Sequence, residues 1–417
     1  MADRADVVVV GAGVIGLTVA RELLSRGAEN LLVLEKEAEV GRHASGRNSG
    51  VLHAGIYYAP DSRKAATCLA GNRLMRSYCR ERGLPLLECG KVVVARHESE
   101  LPALDELARR AAANGAEVEM IDERALAELE PSARTVGRAL HSKSTAVVDP
   151  RAVLSALRAD VEGSGRARVR TGVEVLGSSG SAALRTSAGA VAFGKLVNAA
   201  GAHCDAVARH FGVGLPYRLI PFKGIYRKLR PGAKLTVNGN IYPVPDPRNP
   251  FLGVHFTRSV HGDVYLGPTA IPAFGRENYG VWRGLDRDAA RIALEDLVLF
   301  FRNAGFRSVA LSEPRKYVPA FLHRDAARLV RGFDPADVEP ADKVGIRPQL
   351  VDWRTKSLVM DFLVERAGDT IHVLNPISPA FTSSMALARQ IVDEHFGPPA
   401  PGEGAASAGA WRRGAGA

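Results

Sequence analysis

Four consecutive valines, Val7 to Val10, run directly into Gly11-Ala12-Gly13-Val14-Ile15-Gly16. A short β-branched apolar run of this kind reads as a buried strand, because it is too short for a helix. Leu17 to Arg26 then reads as an amphipathic helix stopped by Gly27, and Leu31 to Glu35 as a second buried strand. Strand, glycine turn, helix and strand make one βαβ unit of about 30 residues, the element from which parallel α/β sheets are built. In such a turn Gly11 permits the tight bend. Gly13 lets the backbone approach a pyrophosphate, and Gly16 lets the helix pack closely on the strand. The helix N-terminus offers N–H groups and a positive dipole end to phosphate. Glu35 closes the second strand 24 residues after Gly11. A carboxylate there accepts both ribose hydroxyls and repels a 2′-phosphate; an ordinary surface carboxylate is the competing reading.

With 417 residues, two or three domains are expected at about 150 residues each. Four cysteines (Cys68, Cys79, Cys89, Cys204) exclude a disulfide scaffold, and no two have the spacing of a zinc knuckle, so no metal is expected. No apolar run approaches a membrane-spanning length. The apolar run begins at Val7, which leaves no room for a secretory signal, and a cytoplasmic location with free thiols is expected. The net charge of +10 is spread over the chain, mostly as arginine, without the interleaved aromatics that track a nucleic acid, so no nucleic-acid partner is expected. Its readings are a solvated Arg-rich surface or attraction to acidic substrates and the anionic inner face of a membrane, as a peripheral contact.

Helices are expected at 64–82, 101–114, 123–129, 153–161, 287–303 and 382–394. Further strands are expected at 91–95, 167–175 and 191–199, and a hairpin over 357–374. From Pro216 to Pro272 short alternating runs punctuated by Pro and Gly predict an antiparallel sheet. The fold class that follows is α/β: a Rossmann-like cofactor domain with a second α+β domain on a mixed or antiparallel sheet. The cofactor domain is expected from segments 5–90, 145–215 and 340–396, and the second domain from 91–144 and 216–339. The Gly-, Ala- and Pro-rich stretch 397–417 reads as a disordered tail.

A single glycine motif does not separate NAD from FAD. Two further features favour the longer cofactor. Gly41-Arg42-His43-Ala44-Ser45-Gly46-Arg47-Asn48-Ser49-Gly50 follows the second strand as a small-residue loop whose amides can touch a flat, phosphate-bearing group. Asn198-Ala199-Ala200-Gly201 ends a strand far downstream in a second close-approach turn. Scattered glycine turns suit an extended FAD better than NAD, which uses one compact domain.

These motifs resemble the FAD-dependent oxidoreductases of the D-amino-acid-oxidase and glycerol-3-phosphate-dehydrogenase superfamily. Four segments are closer to its L-2-hydroxyglutarate dehydrogenase/oxidase family. They are Arg42 to Tyr58; Tyr242 to Pro247 with Phe251 to Arg258; Gly345-Ile346-Arg347-Pro348-Gln349; and Asn375 to Ser384. The resemblance covers roughly residues 5 to 396. It implies non-covalent FAD and oxidation of a small dicarboxylate, L-2-hydroxyglutarate, to 2-oxoglutarate. Electrons would pass to a quinone, an electron-transfer protein or oxygen. It carries cofactor contacts onto Gly11, Gly13, Gly16, Glu35, Lys36, Arg42, His43, Ser45, Arg47, Asn48, Ser49, Val173, Ala200, Gly201, Thr382 and Ser383. An FAD-dependent D-amino-acid or glycine-type amine oxidase, and a flavin-binding protein without turnover, are the alternatives.

Oxidising a 2-hydroxy acid needs a base for the hydroxyl proton, a cation for the carboxylate, and stabilisation of negative charge on reduced flavin. His53 and His255 are the candidate bases, with His43 a third that reads better as a loop contact. A hydrogen-bonded structural histidine is the equal alternative for His53. His255 alternates with Val254 and Phe256 on an expected strand and so faces away from them. Arg347 is the first candidate for a carboxylate, because a guanidinium grips one in bidentate fashion. Arg258 and Lys223 are candidates for a second carboxylate, each with a surface or ion-pair role as the competing reading. Tyr57 is a candidate hydrogen-bond donor or a packing residue. Thr382 and Ser383, expected to open the last helix, place its positive end toward a reduced ring, or simply cap it.

Overall fold

The computed structural model describes residues 3–245, 251–285 and 287–398. The tail expected from 397 lies, from residue 399 on, outside the described residues, as do Asp246 and Pro247 of the second family-like segment. The chain divides into two compact units: 1–46, 150–219 and 348–417 in the first, and 47–149 and 220–347 in the second.

The first unit is an α/β sheet. Its central strand, Asp3–Val10, runs parallel to Leu31–Leu34 on one side (Val7 opposite Leu31, Val10 opposite Leu34) and to Gly189–Asn198 on the other (Val10 opposite Asn198). Leu31–Leu34 pairs onward with Ala167–Arg170. Gly189–Asn198 is shared. Its first half pairs with Ala183–Thr186, and its last three residues with Thr370–Val373, which forms a hairpin with Val364–Ala367. A central parallel strand is covered on both faces, and every residue from Val7 to Val10 and from Leu31 to Leu34 is buried. The helices Val14–Ser25, Pro150–Gly163 and Ala380–Phe396 belong to this unit, with the first packed on the other two. The hairpin expected over 357–374 is confined to 364–373; Ser357–Leu358 instead pairs back on Val351 and Asp352.

The second unit is built on a mixed sheet ordered Val264–Gly267, His255–Arg258, Asn240–Pro243, Lys91–Val94, Arg138–Ser142, Val118–Asp122. The pair Lys91–Val94 and Asn240–Pro243 is parallel, with Ile241 opposite Val92 and Tyr242 opposite Val93; the other neighbours in this series are antiparallel. Because side chains alternate across a strand, this register sorts the sheet into two faces. Val92, Val94, Ile241, Phe256 and Leu266 share the apolar core with Leu126, Leu322 and Leu329. Lys91, Tyr242, His255 and Thr257 lie on the other face.

The two units cut the chain differently from the sequence reading. Residues 47–90, expected with the cofactor domain, pack in the second unit. Within it, Val51–Leu52 and Leu86–Leu87 both pair with Ala146–Val148 in a small sheet. Residues 145–149 and 340–347 also fall in the second unit, and 216–219 in the first.

Candidate functional site

In the first unit the glycine turn is built to exclude side chains. Gly11 has φ +100°, in the left-handed region, and a Cβ there would stand 2.5 Å from the Ala199 carbonyl oxygen. A Cβ at Gly16 would stand 1.9 Å from the Gly11 carbonyl oxygen. The Gly11 turn and the Asn198-Ala199-Ala200-Gly201 turn, almost 190 residues apart, therefore touch. Asn198 Oδ1 accepts from the Ala200 amide at 3.2 Å, and Gly201 turns the chain at φ +56°. Gly13 is the extended N-cap of helix Val14–Ser25 with no side-chain cap, and a Cβ on it would meet Ser45 Oγ at 3.0 Å. Ser45 Oγ in turn accepts from the Val14 amide at 3.0 Å. The small-residue loop thus closes over the motif it follows.

Glu35 is buried at the end of its strand. Its two oxygens accept from the Ala12 amide at 2.9 Å and the Glu37 amide at 3.0 Å. Each carboxylate oxygen keeps a second acceptor position, so these bonds aim the group without exhausting it. The Val173 amide donates to the Glu35 carbonyl at 2.8 Å, which places Val173 on the same edge. Lys36 and His43 both approach Glu37 Oε1, at 2.5 and 2.9 Å, and the Lys36 ammonium, with a smaller contribution from the His43 hydrogen bond, holds the Glu37 carboxyl below its ordinary range. Arg42 makes an exposed ion pair with Glu39 at 3.6 Å. His43 is thus engaged by a carboxylate of its own loop. The last helix begins at Ala380, two residues before the expected Thr382, and has no side-chain cap. Thr382 and Ser383 lie fully buried in its first turns, and Ser383 Oγ has no hydrogen-bond partner among the described residues.

These features fit an FAD. The cradle has no room for Cβ atoms, the carboxylate is aimed, and a buried hydroxyl lacks a partner.

Arg47, Asn48 and Ser49, expected as cofactor contacts, belong to the second unit. The Arg47 guanidinium lies 4.3 Å from the Tyr279 ring centroid and donates to the Val344 carbonyl at 3.4 Å. Asn48 Oδ1 accepts from the Gly50 amide at 2.8 Å and so shapes the turn into Val51–Leu52.

His53 follows that strand. Its backbone carbonyl is held by Asn72 Nδ2 at 3.2 Å, and the same fully buried amide also donates to Leu52 and Ser144 carbonyls. Asn114 performs the equivalent service for the Tyr57 turn, donating to the Gly55 and Tyr58 carbonyls at 2.8 and 3.0 Å. Neither Asn was visible as a site residue, because nothing local distinguishes a buried positioning amide from a surface one.

His255 stacks on Tyr242, ring centroids 3.8 Å apart, and its Nδ1 lies 2.8 Å from the Gly253 carbonyl oxygen. A carbonyl only accepts, so Nδ1 carries the hydrogen and Nε2 keeps the lone pair. Burial, with the nearby Lys91 cation as a smaller contribution, lowers His255 to about 4 and His53 to about 3. Both are neutral imidazoles at physiological pH.

Lys91 was not a sequence candidate. It is 1% exposed, and its Nζ has no hydrogen-bond partner among the described residues. The ammonium lies 4.5 Å from the Tyr57 ring centroid and 5.1 Å from that of Tyr242. Burial lowers it to about 7. The available signal was its position: a lysine opening the buried run Lys91-Val92-Val93-Val94. Tyr57 also has a buried hydroxyl without a described partner, and burial pushes it well above the usual phenol range.

Arg347 lies with its guanidinium 4.8 Å from the Phe251 ring centroid. Its buried Nε has no hydrogen-bond partner among the described residues, and burial lowers the group to about 10. No ion pair joins this enclosed guanidinium to a carboxylate among the described residues.

The two other cation candidates have contacts of their own. Arg258 shares the sheet face of Phe256, opposite His255, and its charge acts on Glu130 and Cys89. Lys223 follows Phe222, which packs on Phe251 at 4.7 Å; alternation turns Lys223 the other way, where Nζ donates to the Gly280 carbonyl at 2.5 Å.

Comparison with known proteins agrees with this architecture. Residues 6–394 match the model of the family described as FAD dependent oxidoreductase. The mitochondrial L-2-hydroxyglutarate dehydrogenase of Nematostella vectensis is 36% identical over 423 residues, covering 94% of this chain and 90% of that protein. The L-2-hydroxyglutarate dehydrogenase of Escherichia coli strain K12 is 34% identical, covering 93% and 92%. Among solved structures, L-alpha-glycerophosphate oxidase from Mycoplasma pneumoniae superposes with TM-score 0.74 at 22% identity, covering 94% of each chain. Glycine oxidase from Geobacillus kaustophilus gives TM-score 0.70 at 20% identity, covering 96% of each. With a family match over nearly its whole length and relatives above 30% identity, the chain belongs to the FAD dependent oxidoreductase family.

Proposed function

We propose that this enzyme oxidises L-2-hydroxyglutarate to 2-oxoglutarate. The observation that carries the reading is the buried, carboxylate-free guanidinium of Arg347, in the same unit as two neutral imidazoles. Relatives at 33–36% identity over more than nine-tenths of the chain bear the corresponding name. The first unit is the FAD domain, held through Gly11, Gly13, Gly16, Glu35, Ser45, Ala200, Gly201 and Ser383. Arg347, His53 and His255 lie in the second unit. Bound FAD provides the two-electron acceptor for the α-hydride.

The remaining work falls to the chain. Arg347 takes a substrate carboxylate in bidentate fashion, replacing lost hydration with two charge-assisted bonds. His255 takes the hydroxyl proton at Nε2, the nitrogen left basic by the Nδ1 bond to Gly253. His53 is the second neutral imidazole and orients the hydroxyl. The Tyr57 phenol stays protonated and donates a hydrogen bond. Lys91, beside the Tyr57 and Tyr242 rings, adds a positive field favouring an anionic substrate when it is protonated. An oxidation of this class hands its electrons to a further acceptor.

The test is anaerobic titration of the purified yellow protein. L-2-Hydroxyglutarate is expected to bleach the flavin absorbance, while the D enantiomer and a panel of D-amino acids leave it oxidised. A flavin that stays oxidised with the L enantiomer, or bleaches with an amino acid instead, overturns the assignment.

A further inference from the structure

Helix Ala289–Arg302 in the second unit reverses the usual amphipathic arrangement. The face it buries carries Ile292, Glu295, Asp296 and Leu299. The face it exposes, at the same i, i+3, i+4, i+7 spacing, carries Leu294 (65% exposed), Leu297 (55%), Val298 (38%) and Phe301 (67%). The loop before it also exposes Val281, Trp282 and Leu285, with Trp282 at 80%, and the next helix, Ala304–Ser312, exposes Leu311. A contiguous apolar stripe left in water, opposite a buried face that holds two carboxylates, marks a surface made to be covered by something apolar.

Charge identifies the covering surface. Arg287, Arg302, Arg307 and Arg315 are all exposed along this segment. Its acidic groups among the described residues are withdrawn. Asp288 bonds to Arg276 and Arg291, Glu295 to Arg291, and Glu313 to Lys316. Asp296 is buried without a hydrogen-bond partner among the described residues, and burial pushes its carboxyl up to about 8, so it is uncharged. What faces outward is hydrocarbon, one tryptophan and arginines. That is the composition of a helix lying in the plane of an anionic bilayer surface, with aromatic and aliphatic groups at the acyl boundary and guanidinium groups on phosphates. At 14 residues the helix is about 21 Å long, and no helix among the described residues is long and apolar enough to cross a membrane.

We propose that helix Ala289–Arg302, with the loop before it, is an interfacial anchor. It lays Leu294, Leu297, Val298 and Phe301 into the headgroup region of an anionic lipid bilayer. Arg287, Arg302, Arg307 and Arg315 meet the lipid phosphates. The anchor is independent of the substrate reading, since none of these residues belongs to the site.

The experiment is flotation of the holoenzyme with vesicles of phosphatidylglycerol and phosphatidylcholine, beside vesicles of phosphatidylcholine alone. The wild type is expected to float with the anionic vesicles and to be released by high salt. The triple variant Leu294→Ser, Leu297→Ser, Phe301→Ser is expected to lose about 100-fold in partition while keeping its flavin absorbance and its dye-linked oxidation rate. Should that variant fail to retain flavin, the double variant Arg302→Glu, Arg307→Glu tests the same surface and is expected to abolish flotation at low salt. A wild type that does not float, or variants that float equally well, overturns the proposal. So does an oligomer in solution that the triple variant splits, because the face then belongs to a second copy of this chain. Equal flotation with both vesicle types and in salt overturns the role given to the arginines.

Discussion

The cofactor cradle of the first unit and the imidazole cluster of the second are made in different ways. The cradle is local. Gly11, Gly13 and Gly16 lie within six residues, and the strand, turn and helix around them dictate what each does. The cluster is assembled at a distance: His53, Lys91, Tyr242 and His255 come from four separate segments, brought together by register across one sheet and the turn that abuts it. Local geometry excludes side chains, so its failure should be all or none. An assembled cluster works through charge and dielectric, so its failures should be graded and dependent on pH.

The largest effect is expected in the cradle. Gly13→Val would drive a branched side chain into Ser45 Oγ, which is already 3.0 Å from the position of a Cβ, and would fill the path by which backbone approaches a pyrophosphate. The protein should purify colourless and remain so after incubation with FAD; a yellow, stoichiometric variant would show that the turn is not a cofactor cradle. Next comes Arg347→Ala, which should keep its flavin. Loss of the guanidinium removes the charge-assisted grip on a carboxylate, and kcat/KM should fall about 100-fold or more, roughly 3 kcal/mol, mainly through KM. Unchanged steady-state kinetics would remove Arg347 from the site.

The same contrast explains what could be read in advance. The βαβ unit, the tight bend at Gly11, the close packing at Gly16, the Asn198–Gly201 turn and the antiparallel texture of 216–272 are carried by neighbours in sequence, and each is found where the pattern puts it. The alternation of His255 with Val254 and Phe256 was likewise enough to turn that ring away from the core. Lys91 was hidden because its meaning lies in a parallel pairing with Asn240–Pro243, residues about 150 positions away. Asn72 and Asn114 act through main-chain carbonyls of other segments, which no spacing rule reports. Strands of two residues, Val51–Leu52 and Leu86–Leu87, leave no periodic signal, so the small sheet they form with Ala146–Val148 is likewise absent from the expected elements.

A smaller, pH-dependent effect is expected at Lys91. Burial is the main reason that His53 and His255 resist protonation, and the Lys91 cation adds to it. A positive charge nearby raises the cost of an imidazolium, so removing it in Lys91→Met must raise both imidazole values. Wild-type kcat/KM should therefore show no imidazole limb above about pH 5, while the Lys91→Met limb should move up by about one pH unit. Lys91→Arg, which keeps the charge, should leave the limb in place. A uniform loss of rate in Lys91→Met with an unmoved limb would mean that the lysine only fills space between Tyr57 and Tyr242.

The smallest effect is expected where sequence reasoning placed a second substrate cation. Arg258 follows His255 by three residues, so an odd step along the strand carries it to the opposite face of the sheet. There its amide donates to the Gly239 carbonyl at 3.0 Å, and its charge acts on Glu130, whose carboxylate accepts from the Asn238 and Gly239 amides at 2.8 and 2.6 Å. Burial raises the Glu130 carboxyl, and Arg258 partly offsets that rise. Arg258→Ala should consequently leave kcat/KM for L-2-hydroxyglutarate within about twofold, and its cost should appear as a stability loss of about 1 kcal/mol in urea unfolding. The sign of its pH dependence follows from the same contact: without the guanidinium the folded-state value of Glu130 moves further above its unfolded value, so the penalty should be largest above that range and should shrink as the carboxyl is protonated on acidification. A large fall in kcat/KM with unaltered unfolding would instead place Arg258 among the groups that hold the substrate and would contradict the division of the sheet into a core face and a site face.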